Sequence, residues 1–442
     1  MKVVQAVGWY HPDSVGGTEV YVAALARELR AGGHDVLIAA PEPGLTAPRT
    51  YAYDGCEVFR YPIPAAPSRD EAQGDVPVRG AEHFHRWLAS TRADVVHMHT
   101  FVTGLGLAEI RAARDAGSRV VVTTHASSLG YVCQRGTLMW RGESLCDGIV
   151  DVSRCAECAL QHAGAPSMAG AALASIPAAL GHAAGRWPGR VGTALGMTDL
   201  ITRNMVRQRA MLDAVNAFVV LTEHAAGIVR ANGAPAGKVV VNRLGVRDGV
   251  ADPAAAPAKA PHAGVNVGYV GRFEDIKGVI DLAEAMRRVP PDLPLRLEFR
   301  GPAQTSGDRD TKAAIAKMLA ADPRVTVGEG VEPANIAHLL RSYDVLCCPS
   351  RCLEGGPTVG LEAMAAGVPV IAASVGGVAE VVEDGVNARL VPPGDVDRLT
   401  AALVEVASDP AATICQWRKR LPAPRTMRAV ARDYLSTYTR LN

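Results

Sequence analysis

The chain has 442 residues, 48% of them hydrophobic and 21% charged, and its formal net charge is +1. A chain of this length is longer than a single hydrophobic core usually accommodates, so two domains are expected. The composition is typical of a soluble globular protein. The absence of a global basic field argues against nucleic acid as a partner. The first residues carry no long apolar run or cleavage site, and no window reaches about eighteen strongly apolar residues. We therefore expect a cytoplasmic protein without a transmembrane segment, whose nine cysteines are reduced.

The first half alternates short apolar, β-branched runs with amphipathic segments. A strand at 3–10, a turn-rich loop at 11–17, a helix at 18–31 and a strand at 35–40 form one βαβ crossover. Further segments are a helix at 106–116 and strands at 94–100, 119–125, 217–223 and 238–246. Strands alternating with helices predict a doubly wound parallel sheet.

The pattern breaks at about 131–197, where a cysteine-bearing stretch precedes an Ala/Gly-rich stretch. The second stretch is interpreted either as an amphipathic helix pair near the cleft or on a membrane surface, or as a loosely packed Ala-rich helical insert. Residues 248–264 are rich in Pro and Ala without periodicity, and they predict a linker. The predicted domains are therefore 1–247 and 265–442.

The alternation restarts after the linker. Strands are predicted at 265–270, 295–300, 325–328, 344–348, 369–374 and 388–391. Helices are predicted at 278–289, 310–320, 334–342, 359–366, 378–383 and 396–407, with a terminal helix at 426–438. Two Rossmann-like α/β domains would face a cleft at the carboxyl ends of their strands, where ligands bind in such folds.

The loop that follows the strand at 344–348 has the features of a ligand site. Its residues Glu354, Gly355, Gly356 and Pro357 lead into a helix that carries Glu362. Glycines permit close backbone approach, and a helix N-terminus with free N–H groups binds anions. Carboxylates beside it are poor phosphate ligands but good acceptors for sugar hydroxyls. The combination indicates a nucleotide-sugar.

Two cations lie just past the first strand of the second domain, in GYVGRFEDIKG. Arg272 and Lys277 are suited to clamp a diphosphate and stabilise a leaving nucleotide. The alternative interpretation is two solvated surface cations near a helix start. The anion-binding helix predicted in the same domain favours the clamp.

The motif GRFEDIKG, followed by EGGPTVGLEAMAAGVPVIA, resembles the retaining glycosyltransferases of family four, which have the GT-B fold. GGTEVYVAALARELRAGGHDV resembles that family's first glycine loop and helix, and DVVHMHT, VVVTTH and KVVVNRLGV resemble its N-domain strands. The resemblance covers nearly the whole chain outside the insert. It implies an acceptor-side N-terminal domain and a C-terminal domain that binds the nucleotide-sugar.

The resemblance also implies roles for individual residues of the second domain. Glu354 holds hydroxyls of the donor sugar, and Glu362 accepts from the ribose. Thr358 and Val359 offer backbone N–H groups to the phosphates, in the loop that contains Gly356. Arg272 and Lys277 neutralise the diphosphate.

In the first domain, the resemblance gives Gly17 a role in close backbone approach to the donor phosphate and acceptor. His125, which ends the strand RVVVTTH, corresponds to a cleft histidine near the reacting sugar; a polar residue that closes a strand is the alternative. His97 and His99 share one strand face and are interpreted as structural or acceptor-side residues. His11 is a weaker acceptor-side candidate.

The cysteine-bearing stretch contains Cys133, Cys146 and the pair Cys155 and Cys158, which form a C-x-x-C motif. Four thiolates in a loop-rich segment are typical of a tetrahedral structural zinc site. Reduced structural cysteines, a disulfide or an iron–sulfur cluster are the alternatives.

These observations predict a retaining transfer of a sugar from a UDP- or GDP-sugar to a hydroxyl of a polysaccharide, glycolipid or small molecule. The resemblance implies front-face attack, with catalysis from positioning and electrostatic stabilisation. No Asp-x-Asp metal motif is recognised in the sequence, so a catalytic metal is not expected. Peripheral contact with the inner membrane face would suit a lipid-linked acceptor. A nucleotide-sugar epimerase and a catalytically silent sugar-nucleotide-binding subunit are the rival hypotheses.

Overall fold

The structure is a computed structural model that describes residues 1–13, 16–247, 250, 264–332, 335–356 and 358–440. Nearly all of the predicted linker at 248–264 lies outside these residues, as does Pro357. The chain forms two compact units. The first contains 1–136, 147–243 and 427–442, and the second contains 137–146 and 244–426. Within the described ranges, no helix is both long enough and apolar enough to cross a lipid bilayer.

The first unit contains an eight-stranded sheet whose pairings are all parallel except for one edge hairpin. In spatial order its strands are Val239–Val241, Ala217–Val220, Arg119–Thr123, Val95–His99, Lys2–Val7, Asp35–Pro43, Cys56–Ile63 and Arg49–Tyr53. Its central strands are buried, as in a sheet covered on both faces.

Eleven helices are described in the first unit: Gly17–Ala31, Arg69–Gln73, Glu82–Thr91, Leu107–Asp115, Val152–His162, Ser167–Ala174, Ala178–Ala184, Gly189–Leu195, Met197–Ala214, Glu223–Ala231 and Met427–Arg440. From Val152 onwards the insert is helical, and it packs with the helix Met197–Ala214 into a small core that includes Ala156, Leu160 and Ile201. Its glycines allow close packing, because a Cβ on Gly192 would lie 1.9 Å from the Trp187 carbonyl oxygen.

The second unit contains a six-stranded parallel sheet. In spatial order its strands are Val325–Gly328, Leu295–Arg300, Val265–Val270, Val345–Cys348, Val370–Ala373 and Arg389–Val391. Its described helices are Val279–Arg288, Ser306–Met318, Ile336–Ser342, Thr358–Ala365, Val396–Ser408 and Ile414–Lys419. A two-stranded hairpin, Met139–Trp140 with Ser144–Leu145, also belongs to this unit.

The structure corrects three expectations. The predicted helix at 378–383 is replaced by turns in which Val378 is buried. The terminal helix, Met427–Arg440, belongs to the first unit and not to the second. Residues 137–146, which precede the C-x-x-C motif, belong to the second unit although they lie in the first half of the chain. For both of these segments, contacts with residues distant in sequence determine the unit to which the segment belongs.

Candidate functional site

Lys277 and Glu354 meet at the carboxyl ends of two neighbouring strands, Val265–Val270 and Val345–Cys348. Lys277 Nζ donates to Glu354 Oε1 at 2.6 Å, and Ser350 Oγ donates to the same oxygen at 2.9 Å. Burial pulls the pKa of Lys277 down, but the Glu354 carboxylate outweighs it and the pKa is raised. The site therefore presents a charged ammonium beside a carboxylate.

Three contacts fix the two loops that carry this pair. Arg351 Nε and Nη2 donate to the Asp281 carboxylate at 2.6 Å each, and the Arg351 N–H donates to the Ile276 carbonyl at 2.8 Å. Gly278 has φ +68°, and a Cβ there would lie 1.9 Å from the Pro349 carbonyl oxygen. Glycine is required at this close approach, so the positions of Lys277 and Glu354 are set by the backbone.

The Glu354 loop is also held by segments that the sequence analysis did not connect with it. The Leu353 N–H donates to the Thr137 carbonyl at 3.0 Å, and the Gly377 N–H donates to the Glu354 carbonyl at 3.0 Å. A Cβ on Gly376 would lie 2.4 Å from the Glu354 carbonyl oxygen. The loop therefore rests on a glycine pair that leaves no room for side chains.

Arg272 lies within electrostatic range of this pair. Its Nη1 is 2.6 Å from Glu274 Oε1, and its side chain is half-exposed. The Tyr269 hydroxyl donates to the Arg272 carbonyl at 2.6 Å, which anchors the backbone. The positive charge of Arg272 opposes the rise in the pKa of Lys277, as expected of two neighbouring cations.

Glu362 lies on the helix Thr358–Ala365 and is buried. Arg247 donates to Glu362 Oε1 from Nε at 2.9 Å and from Nη2 at 2.8 Å. Burial raises the pKa of Glu362, and Arg247 opposes this increase. The sequence analysis missed Arg247, because 115 positions separate it from its partner.

The helix begins one residue before the predicted start at 359, and Pro357, predicted in its first turn, lies outside the described residues. Thr358 is its first residue and is exposed, and Val359 follows. Gly356 has φ +140°, a conformation that L side chains rarely adopt. The loop thus leads directly into a helix N-terminus, a position that is suited to bind an anion.

In the first unit, His125 is partly exposed and borders a buried polar layer. His99 Nε2 donates to Gln5 Oε1 at 2.6 Å, which leaves His99 Nδ1 to accept from His125 Nε2 at 3.1 Å. The Tyr21 ring contacts His125, with ring centroids 4.8 Å apart. Burial lowers the pKa of His125 to about 4, so its imidazole is neutral at physiological pH.

His97 extends the same layer. Its Nδ1 is 2.7 Å from the Tyr438 hydroxyl, and its Nε2 is 2.7 Å from Thr123 Oγ1. His97 and His99 are both completely buried, which supports their structural interpretation. His11 is buried and stacks on Tyr53, with ring centroids 4.8 Å apart.

Gly17 begins the helix Gly17–Ala31. A Cβ on Gly17 would meet no atom within 4 Å among the described residues. Packing within the unit therefore gives no reason for glycine at this position, and the prediction that a ligand approaches here is retained.

The predicted zinc site does not form within the part of the chain that the structure describes. There, no group of three or more His, Cys, Asp or Glu residues could hold a metal ion. Cys155 and Cys158 lie on the helix Val152–His162, not in a loop. Cys133 belongs to the first unit and Cys146 to the second. The C-x-x-C spacing here reflects one helical turn.

The expectation that the chain has no Asp-x-Asp motif is wrong, because two such triplets, 308–310 and 395–397, lie at helix starts. Asp308 accepts from the N–H groups of Gln304 and Thr305, and Asp395 accepts from the Arg398 N–H. Capping accounts for the first aspartate of each triplet.

Two protein-family models match the chain. "Glycosyl transferase 4-like domain" matches residues 16–245, and "Glycosyl transferases group 1" matches residues 264–409. A curated relative, the MMP alpha-(1->4)-mannosyltransferase of Mycolicibacterium hassiacum, is 37% identical over 136 residues. That match covers 30% of this chain and 32% of the relative, so the chain spans about a third of the length of this relative.

Solved structures resemble the chain over its full length. Sucrose-phosphate synthase from Thermosynechococcus elongatus aligns with a TM-score of 0.68 at 20% identity, covering 100% of this chain and 99% of that one. Anabaena Alr3699/HepE, solved with UDP, aligns with a TM-score of 0.64 at 15% identity, covering 99% and 100%. These likenesses confirm the predicted α/β GT-B fold with two Rossmann-like domains. Because the "Glycosyl transferase 4-like domain" model alone matches more than half of the residues and the "Glycosyl transferases group 1" model matches 264–409, the chain belongs to the glycosyltransferases that combine these two domains.

Proposed function

We propose that the protein is a retaining glycosyltransferase that moves a sugar from a nucleoside-diphosphate-sugar to a hydroxyl acceptor. The observation that carries the proposal is the ion pair of Lys277 with Glu354, 2.6 Å apart at the carboxyl edge of the second sheet. When a donor binds, the ammonium can turn to the diphosphate and the carboxylate can accept sugar hydroxyls. A single donor molecule would thus contact both Lys277 and Glu354.

In the proposed reaction, the bond between the anomeric carbon and the diphosphate oxygen breaks, and a bond to the acceptor oxygen forms on the same face. The acceptor proton passes to the leaving phosphate. Lys277, Arg272 and the N–H groups of Thr358 and Val359 stabilise the departing charge, so positioning and electrostatics supply the acceleration. Glu362 accepts from the ribose, and Gly356 keeps the loop open for the phosphates.

For the first unit, we propose that Gly17 allows the backbone to approach the donor phosphate and that neutral His125 contacts the reacting sugar. UDP is the first nucleotide to assay, since HepE was solved with it, and GDP is the alternative. We further propose that the reaction takes place in the cytoplasm, with the inner membrane face as the place where a lipid-linked acceptor would be met.

The test is incubation of the protein with UDP- and GDP-sugars, with and without acceptor extracts. Free nucleotide together with a glycoside of unchanged anomeric configuration, determined by NMR, is the expected result. A new isomer of the nucleotide-sugar without acceptor would support an epimerase instead. Nucleotide binding without turnover in any mixture would support the silent subunit.

A further inference from the structure

Three short helices of the insert bury small residues and expose large apolar ones. The helices are Ser167–Ala174, Ala178–Ala184 and Gly189–Leu195. Their buried residues are all glycine or alanine, whereas Met168 is 89% exposed, Leu180 66% and Val191 63%. A helix that packs onto a protein core normally buries its largest apolar side chains. The pattern here is reversed, so packing within the unit does not explain these side chains.

Glycines hold the second and third of these helices close together. A Cβ on Gly196 would lie 2.6 Å from the Gly185 Cα, so backbone packs against backbone here and no large side chain fits between. Arg69 Nη1 donates to the Gly185 carbonyl at 2.6 Å and to the Trp187 carbonyl at 3.2 Å. The turn between the helices is thus fixed from behind. Side chains on a fixed backbone lose less conformational entropy when a partner binds.

The turn and the start of the next helix form a continuous exposed run, 186–191, with the sequence RWPGRV. Trp187 is 59% exposed. Arg186 donates to the ring of His182 at 3.4 Å, and no carboxylate among the described residues pairs with Arg186 or Arg190. The run therefore presents an indole and two unpaired guanidinium groups to the surroundings.

The charge around this run has one sign. No Asp or Glu occurs in the sequence between Glu157 and Asp199. A cationic surface with exposed apolar side chains is complementary to an anionic surface with an apolar interior. A second copy of the chain is not complementary, because a two-fold contact would bring the same unpaired arginines together.

We infer that residues 180–191, the docking segment, bind the surface of an anionic lipid bilayer. Leu180, Trp187 and Val191 enter the boundary between headgroups and acyl chains, where an indole is well placed. The two arginines bind lipid phosphates, which match the geometry of a guanidinium. The inference deepens the membrane location given under the proposed function and rests on it, and it involves no residue of the donor site.

The experiment measures binding of the full chain to vesicles by sedimentation. Vesicles of equimolar phosphatidylglycerol and phosphatidylcholine are compared with vesicles of phosphatidylcholine alone, at low salt. Binding to the mixed vesicles should be at least ~10-fold tighter, because each cation near an anionic surface contributes roughly fivefold. No binding to the mixed vesicles, or equal binding to both kinds, would overturn the inference.

The double variant Arg186→Gln/Arg190→Gln tests the position of the contact. It should weaken binding to the mixed vesicles ~30-fold, the product of two such factors. Arg428→Gln/Arg432→Gln is the matched control, because it removes the same charge from exposed positions on the terminal helix. The control should change binding less than ~3-fold, since charges outside the contact are screened. An equal loss in both double variants would indicate general charge attraction and contradict the assignment.

Fluorescence tests whether the indole reaches the acyl chains. Mixed vesicles with brominated acyl chains should quench the bound wild type. Trp187→Phe should lose most of this quenching but bind within ~3-fold of wild type, because phenylalanine keeps an apolar ring. Trp9 is also exposed, at 51%, and serves as the comparison. Quenching that persists in Trp187→Phe and disappears in Trp9→Phe would place the contact elsewhere and overturn the inference.

Two measurements without lipid complete the test. A dimer in analytical ultracentrifugation that Leu180→Ser/Trp187→Ser dissociates would identify a second copy as the partner of the segment and overturn the inference; a monomer is expected. UDP titration separates this inference from the proposed function. If UDP binds and the mixed vesicles do not, only this inference fails, whereas absence of UDP binding in the wild type counts against the proposed function.

Discussion

Replacing the two members of the Lys277–Glu354 pair, separately and together, separates its contribution to stability from its contribution to catalysis. The Lys277 and Glu354 side chains are 28% and 11% exposed, so the pair is largely shielded from water. Lys277→Met leaves the Glu354 carboxylate with the Ser350 hydroxyl as a neutral donor. Glu354→Gln leaves a partly buried ammonium with a weaker acceptor.

Breaking a buried pair from one side destabilises by about 3–5 kcal/mol, and partial exposure of Lys277 reduces our expectation to about 2 kcal/mol. The double variant Lys277→Met/Glu354→Gln leaves no uncompensated charge and should recover to within about 1 kcal/mol of wild type. Activity, unlike stability, should not recover in the double variant. Each single variant and the double variant should lose at least ~100-fold in kcat/KM, about 2.7 kcal/mol of transition-state stabilisation.

Urea unfolding gives the stability of each variant, and nucleotide release from the donor gives its activity. Lys312→Met is the matched control, because Lys312 also pairs with a carboxylate, at 2.5 Å, but its partner Glu329 is 81% exposed. That control should change stability by less than about 1 kcal/mol and leave turnover unaltered. If the double variant regained activity together with stability, the pair would be structural and the donor-site assignment would be wrong.

Three further predictions concern other residues. Glu362→Gln should weaken UDP binding ~10-fold in calorimetric titration by removing a charged acceptor for the ribose, and unchanged affinity would exclude that role. His125, with a pKa of about 4 in the folded chain against 6.5 ordinarily, binds protons more readily when unfolded. Stability should therefore fall as pH drops from 6.5 towards 4. In His125→Gln the urea midpoint should fall less steeply over this range, while His97 and His99, whose pKa values burial also lowers, keep part of the dependence. A dependence as steep as in wild type would refute the assignment. Elemental analysis should find zinc below one equivalent, equally in wild type and in Cys155→Ser/Cys158→Ser, whereas one zinc per chain lost in the variant would restore the zinc hypothesis.

The parallel strands were predictable because strands covered on both faces read as short continuous apolar runs. The segments 265–270 and 295–300 coincide with the observed strands Val265–Val270 and Leu295–Arg300. The hairpin of Arg49–Tyr53 and Cys56–Ile63 was missed although it carries a signal. Asp54 and Gly55 have φ +48° and +72°, and an Asp-Gly pair between β-rich runs is typical of a tight hairpin turn.

The candidate site was only partly predictable, for a physical reason. Lys277 and Glu354 stand at strand ends, and strand ends are readable from local patterns, so their meeting could be anticipated. Arg247 and Thr137 reach the site through contacts with residues more than a hundred positions away. No periodicity encodes such contacts. The zinc-site prediction at the cysteines was wrong for a different reason. A C-x-x-C spacing fits one turn of a helix as well as a metal-binding loop.

The terminal helix has a consequence for the order in which the chain can fold during synthesis. Tyr434 and Tyr438 supply partners to Tyr21 and His97, residues made more than 300 positions earlier. Domains generally fold as they emerge from the ribosome, first part first. Here the buried histidine layer stays incomplete until the whole second unit has been translated. In a nascent chain halted before Met427, the first unit should therefore stay incompletely folded and accessible to chaperones and proteases. Its core is completed only when the terminal helix has been synthesised.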